Sequence, residues 1–156
     1  TLGGFLASLV ELEERGVRKP GSADKGLHTL YISPLKALAV DVKRNLEIPI
    51  AEMGLPITLE TRTGDTPQNR RLRQRHEPPD ILMTTPEQLA LLLSYADAER
   101  MFRNLKCVIL DELHAMVNTK RGDLLALDLV FQRWHRVTDG SVSPQRLQTQ
   151  ISCAAF

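Results

Sequence analysis

The sequence predicts an α/β domain in three layers, a mainly parallel sheet covered by helices on both faces. Two observations predict it. Short apolar runs alternate along the chain with segments of helical spacing, the pattern of consecutive βαβ units. Composition is the second: 156 residues, 42% hydrophobic and 25% charged, suit one globular domain whose core needs no disulfide or metal staple.

Each element has its own reason. Leu2 to Arg15 carries apolar residues at helical spacing (Leu2, Phe5, Leu6, Leu9, Val10, Leu12) and stops at Gly16. Residues 18–26, "RKPGSADKG", read as a solvated loop. Residues 27–33 read as a strand, and 34–46 as a helix with Pro34 at its first position. "ITLETRTG" (57–64) is a strand running into a glycine turn, followed by a polar helix over 66–77 with Thr66 as N-cap. A strand over 80–86, a helix over 86–95 and a strand over 106–112 complete the alternation. From about Leu129 the pattern degrades.

Net charge is +1, so any basic footprint for nucleic acid must be local. Cys107 and Cys153 show no metal or disulfide spacing, which fits a reducing cytosol. No apolar run reaches the roughly 18–20 residues of a membrane span, so no membrane partner is expected.

In open parallel sheets, ligands bind beyond the carboxyl ends of the strands. Every strand end here is polar and specific. Asp111-Glu112 follows the apolar Val108-Ile109-Leu110, the form of a Walker B box. One carboxylate of such a pair can hold Mg²⁺, and its neighbour can orient or deprotonate the water that attacks a γ-phosphate. The plainer alternative is an acidic pair capping the next helix. A metal-hydrolase reading of Asp111, Glu112 and His114 has no second ligand cluster to support it. "SPLKALA" and "TTPEQL" share one geometry: a hydroxyl residue at a strand end, then proline at a helix start. Free N–H groups and the helix dipole make such places anion sites. Thr63 and the Gly64 turn offer a third contact. Arg70, Arg71, Arg73 and Arg75 crowd the following helix, where a solvated face is preferred over a duplex-binding role.

Together, "YISPLKALAVDVKRNLEIPIAEMGLPITLETRTGDTP", "PPDILMTTPEQLALLLS" and "VILDELHA…KRGD" resemble the large helicase-related branch of superfamily 2, especially its ligase-associated DNA-damage-response DExH-box helicases. The resemblance covers residues 1 to about 128. It implies the first RecA-like domain of an ATP-dependent DNA helicase or translocase, with ATP and Mg²⁺ as cofactors. By motif, Asp111 would contact Mg²⁺, Glu112 would be the catalytic base, and His114 would couple the ATP site to the partner domain. Ser33, Pro34, Leu35, Lys36 and Ala37 correspond to motif Ia. Thr61, Arg62, Thr63, Gly64 and Asp65 form the next nucleic-acid motif, and Thr84, Thr85, Pro86, Glu87 and Gln88 form motif Ib. Arg121-Gly122 matches a short element behind the box. The resemblance further implies DNA as partner, single-stranded or forked, with an RNA–DNA hybrid as an alternative track. It also implies repair proteins including a ligase and a nuclease, and a bacterial cytosol with nucleoid association. A non-catalytic nucleic-acid-binding module and an RNA-directed helicase stay open as alternatives.

Two departures are expected to matter. The family's Gly-rich phosphate loop ending Gly-Lys-Thr is missing, with Thr1 standing where its last residue would fall, so the chain reads as a fragment with little ATPase activity alone. Residues 129–156 match neither the family nor a helix–strand pattern and read as an out-of-frame translation. In the frame joining each third base to the next two, Ser141 to Ile151 can spell Gly-Leu-Ser-Ala-Thr-Val-Ala-Asp-Pro-Asp, the family's motif III and its sequel. Such a tail is expected to be poorly ordered or weakly docked and without function.

Overall fold

The computed structural model describes residues 2–16, 26–116, 119–120, 122–126 and 148–152. Four strands form in the expected order: β1 (Thr29–Ile32), β2 (Leu59–Arg62), β3 (Ile81–Thr84) and β4 (Cys107–Asp111). A fifth, β5 (Gln148–Ser152), joins them in a sheet of order β2-β3-β1-β4-β5. All four pairings are parallel, and one register runs through the centre: Ile32 faces Thr84 on one side and Leu110 on the other. Strands buried on both faces need apolar residues at every position rather than alternation. β1, β3 and β4 accordingly read TLYI, ILMT and CVILD, every residue buried.

Two apolar layers clad the sheet. On one face α1 (Leu2–Glu14) and α2 (Lys36–Glu52) bring Phe5, Leu9, Ala39, Val42 and Leu46 against Tyr31, Ile81, Met83, Cys107 and Ile109. On the other, α4 (Pro86–Leu93) and α5 (Ala98–Phe102) bring Leu89, Leu92, Met101 and Phe102 against Leu30, Ile32, Leu82, Val108 and Leu110. Alternate residues of each strand feed opposite layers, as the period of two requires. The three-layer RecA-like α/β fold is therefore present.

Several boundaries differ from the sequence expectation. α2 starts at Lys36 with Leu35 as N-cap, not at Pro34, and runs past Pro49 to Glu52. Proline removes one helical hydrogen bond, but the turn continues with Ile50 buried in the cluster that α1 and α2 form with the sheet. α3 (Gln68–His76) is capped by Pro67. Thr66 instead accepts the Thr63 N–H at 2.9 Å and so tightens the turn before the helix. α5 and β5 were not anticipated. Within 129–156, only the backbone of 148–152 lies among the described residues. There it covers the flank of β4, whose N–H and C=O groups a parallel neighbour satisfies. The expectation of an out-of-frame tail otherwise falls outside them.

Candidate functional site

Because β1 to β4 are parallel and in register, their carboxyl ends lie on one edge of the sheet. Reading across it, the ends present Arg62-Thr63-Gly64, Thr84-Thr85-Pro86, Ser33-Pro34-Leu35 and Asp111-Glu112. Neighbouring strands are about 4.8 Å apart, so these four ends form one continuous strip. The three hydroxyl-bearing ends are contiguous, and the carboxylate pair follows at β4.

At the β4 end, Asp111 is almost fully buried, at 1% exposure. Its Oδ1 accepts the Glu112 N–H at 3.1 Å, and its Oδ2 accepts the phenol of Tyr31. Burial of the phenol, and its bond to a carboxylate that would repel a phenolate, hold the Tyr31 pKa well above its ordinary range. Tyr31 therefore stays protonated and donates to Asp111. Glu112 has φ +51°, the left-handed region that a Cβ disfavours. That twist takes the chain out of the strand and leaves the Glu112 carboxylate half-buried beside its neighbour. His114 Nε2 approaches Glu112 Oε2 at 3.1 Å, and the His114 side chain is 55% exposed. α6 (Leu113–Met116) begins immediately behind the pair. Mg²⁺ takes oxygen ligands and is commonly held by one or two protein carboxylates plus substrate phosphates. Asp111, with Glu112 next to it, fits that donor set.

The remaining strip divides into a buried frame and an exposed crest. Ser33, Thr63, Thr84, Thr85, Pro86 and Gln88 are buried, while Thr61 and Glu87 are partly so. The frame is cross-linked: the Ser33 N–H donates to the Thr84 carbonyl at 3.1 Å, and Thr84 Oγ1 donates to the Arg62 carbonyl at 2.9 Å. Leu35, Lys36, Ala37, Gly64 and Asp65 are exposed. Lys36 Nζ is 3.0 Å from Asp65, joining the crest of α2 to the turn after β2. Gly64 lies beneath this lysine, and a Cβ there would stand 3.6 Å from its Nζ.

Arg62 departs from the role the resemblance implied. Its guanidinium points inward, at 1% exposure, with Nη1 donating to the Arg71 carbonyl at 3.0 Å. Burial, together with the charges of Arg71 and Arg75, lowers its pKa below the usual arginine value. It braces the strip rather than facing a ligand. The α3 arginines are likewise occupied. Arg70 and Arg73 pair with Glu60 at 3.2 and 2.6 Å, and Arg75 pairs with Asp97 at 2.6 Å. Arg71 donates to the carbonyls of Thr63, Gly64 and Thr66, holding the β2 turn. Burial alone would raise the Glu60 pKa, but hydrogen bonds from Gln74 and Arg70 and the arginine charges hold it below the ordinary glutamate value.

Gly122 is described, its N–H donating to the Thr119 carbonyl at 2.9 Å, whereas Thr1 and Arg121 lie outside the described residues. Sequence reasoning missed Tyr31. Its signal was available: Tyr31 stands two residues before Ser33, hence on the same strand face, directed at the neighbouring Asp111.

Three comparisons bear on this edge. The profile of the DEAD/DEAH box helicases matches residues 1–147. The Lhr helicase/probable uracil glycosylase of Mycolicibacterium smegmatis is 45% identical over 139 residues, covering 83% of this chain and 9% of that protein. The Lhr helicase/uracil glycosylase of Escherichia coli is 42% identical over 141 residues, with the same coverage of 83% and 9%. Among solved structures, Mycobacterium smegmatis helicase Lhr bound to single-stranded DNA and AMP-PNP superposes with a TM-score of 0.74 at 38% identity, covering 97% of this chain and 19% of that one. The chain thus spans about a tenth of the length of these two relatives.

Proposed function

The chain belongs to the DEAD/DEAH box helicase family, and from that premise we propose that it is the nucleotide- and nucleic-acid-facing part of an ATP-dependent DNA helicase. One observation carries the reading. The acidic pair and three hydroxyl-bearing strand ends share a single edge, so nucleotide and strand would be held side by side on one rigid sheet. The DNA-bound and AMP-PNP-bound state of the Lhr neighbour supports the same division of labour.

In this reading Asp111 would hold Mg²⁺, which would supply positive charge to the nucleotide phosphates. Glu112 orients the attacking water and accepts its proton, within reach of the strand end yet open to solvent. His114 steadies the Glu112 carboxylate and faces the partner domain. Along the rest of the edge, backbone N–H groups at the starts of α2 and α4 take phosphate oxygens, and Lys36 adds a cation. Such contacts read backbone rather than bases. The ligase-associated branch that the motifs resemble supports a repair role in a bacterial cytosol, so loss of the gene is expected to sensitise cells to DNA damage.

The 156 residues contain no Gly-rich loop ending Gly-Lys-Thr to cradle the β- and γ-phosphates. This chain alone is therefore expected to bind a DNA strand better than it turns over ATP. Fluorescence anisotropy with a labelled single-stranded oligonucleotide tests the reading. Binding should be sequence-indifferent and weaken steeply with salt. Sequence-specific, salt-insensitive binding would overturn it.

A further inference from the structure

The carboxylate of Asp111 is oriented from the neighbouring strand. β1 and β4 pair in parallel with Tyr31 opposite Ile109. Asp111 stands two residues beyond Ile109 and therefore on the same sheet face. That face carries the α1 and α2 layer, in which Tyr31 and Ile109 both lie. The Tyr31 ring is seated there against Phe5 of α1, centroids 5.6 Å apart. From this seat its hydroxyl donates to Asp111 Oδ2, while Oδ1 accepts the Glu112 N–H at 3.1 Å. A carboxylate offers about four lone-pair sites, so each oxygen is tied once and still has room for a cation. Tyr31 and Asp111 are 0% and 1% exposed, and buried polar groups need partners. That need alone does not require the partner to come from a second strand. The Glu112 N–H by itself would leave the carboxylate one anchor and free to swing about its Cβ–Cγ bond. The phenol adds a second anchor, carried by a ring that another strand and α1 hold in place.

We propose that Tyr31 is a positioning residue for Mg²⁺, fixing the plane of the Asp111 carboxylate toward the nucleotide-bound cation. The proposal deepens the helicase reading and rests on it. Hydrogen-bond partners of metal ligands orient them, and losing one typically costs about 10–100-fold in metal affinity. Mg²⁺ demands near-ideal octahedral geometry, whereas Ca²⁺ accepts flexible sites. A carboxylate set swinging therefore costs Mg²⁺ more than Ca²⁺.

The test uses the full-length protein and a fluorescent non-hydrolysable ATP analogue. Half-saturating Mg²⁺ and Ca²⁺ for nucleotide binding are measured for wild type and Tyr31→Phe, which keeps the ring against Phe5 and removes only the hydroxyl. The Mg²⁺ requirement of Tyr31→Phe should rise about 10-fold, the lower end for such partners. Its Ca²⁺ requirement should rise distinctly less, and its affinities for (dT)20 and for the analogue in EDTA should be unchanged. Asp111→Asn should raise the Mg²⁺ requirement as well, and adding Tyr31→Phe to it should raise it no further. A Tyr31→Phe protein with the wild-type Mg²⁺ requirement overturns the proposal and leaves the helicase reading standing. So does an equal rise for both cations, or an additive effect in the double variant. Loss of metal, nucleotide and (dT)20 binding together would show that the phenol only supports the fold, and also overturns it. A wild type that binds no nucleotide, or binds it indifferently to Mg²⁺, overturns the helicase reading and the proposal together.

Discussion

Replacing Glu112 with glycine should leave the domain about as stable as before while ending turnover. Glu112 has φ +51°, where an L-residue's Cβ crowds the backbone at a cost of about 1–2 kcal/mol. Glycine has no such cost. Two losses offset the relief. The contact with His114 is made by side chains 55% and 21% exposed, so solvent screening limits it to roughly 0–1 kcal/mol. Glycine also widens the unfolded ensemble by about 0.5–1 kcal/mol. The net runs from a loss of about 1 to a gain of about 1.5 kcal/mol and is centred near zero. Glu47→Gly, inside α2 and away from the edge, should instead lose about 1 kcal/mol. Urea unfolding followed by circular dichroism compares the two variants with the parent. A Glu112→Gly midpoint that falls as far as that of Glu47→Gly would mean no strain is stored at this position, and the reasoning fails. The expected pairing, stability kept where glycine normally costs it and activity lost, is what backbone strain retained at a functional site produces.

Other outcomes follow from named contacts. Lys36→Ala should weaken oligonucleotide binding and reduce the slope of log K against log salt by about 1. Asp65→Asn should tighten binding a few-fold, because Asp65 competes for Lys36 Nζ at 3.0 Å; unchanged affinity in both variants would remove Lys36 from the interface. Glu60 has its pKa held below 4.5 in the fold, so its stabilisation is complete above about that pH and is lost as pH falls through the lower folded value. Glu60→Gln should flatten the stability profile below pH 4.5 and leave its slope near neutrality unchanged, as acid titration of unfolding free energy will show. We also propose that the coding DNA of residues 129–156 reads Gly-Leu-Ser-Ala-Thr in the shifted frame, and sequencing decides it.

The fold was legible wherever burial dictated it. β1, β3 and β4 lie under helices on both faces, so their runs of apolar residues marked them plainly, and parallel pairing placed their polar ends together. Elements with weaker burial demands were harder. α5 is five residues, AERMF, whose helicity comes from seating Met101 and Phe102 against the sheet rather than from a long periodic pattern. The passage of α2 through Pro49 defied a local rule because tertiary packing of Ile50 decided it. β5 is defined by the open flank of β4, which no local sequence signal reports. At the site, residue types announced the acidic pair and the hydroxyl-proline helix starts. Direction was not announced: Arg62 turns inward, and Tyr31, which reads as an ordinary strand aromatic, reaches a carboxylate one strand away.

The central claim is that Asp111 and Glu112 serve ATP hydrolysis driven by a strand held along the same sheet edge. Steady-state ATP turnover by the full-length protein, with and without single-stranded DNA, tests it most directly when wild type is set beside Glu112→Gln. Wild type should be stimulated by DNA, and Glu112→Gln should bind the nucleotide with near-normal affinity yet turn over at least about 100-fold more slowly, since only the proton acceptor is lost. Turnover in Glu112→Gln equal to that of wild type, or hydrolysis indifferent to DNA, would contradict it.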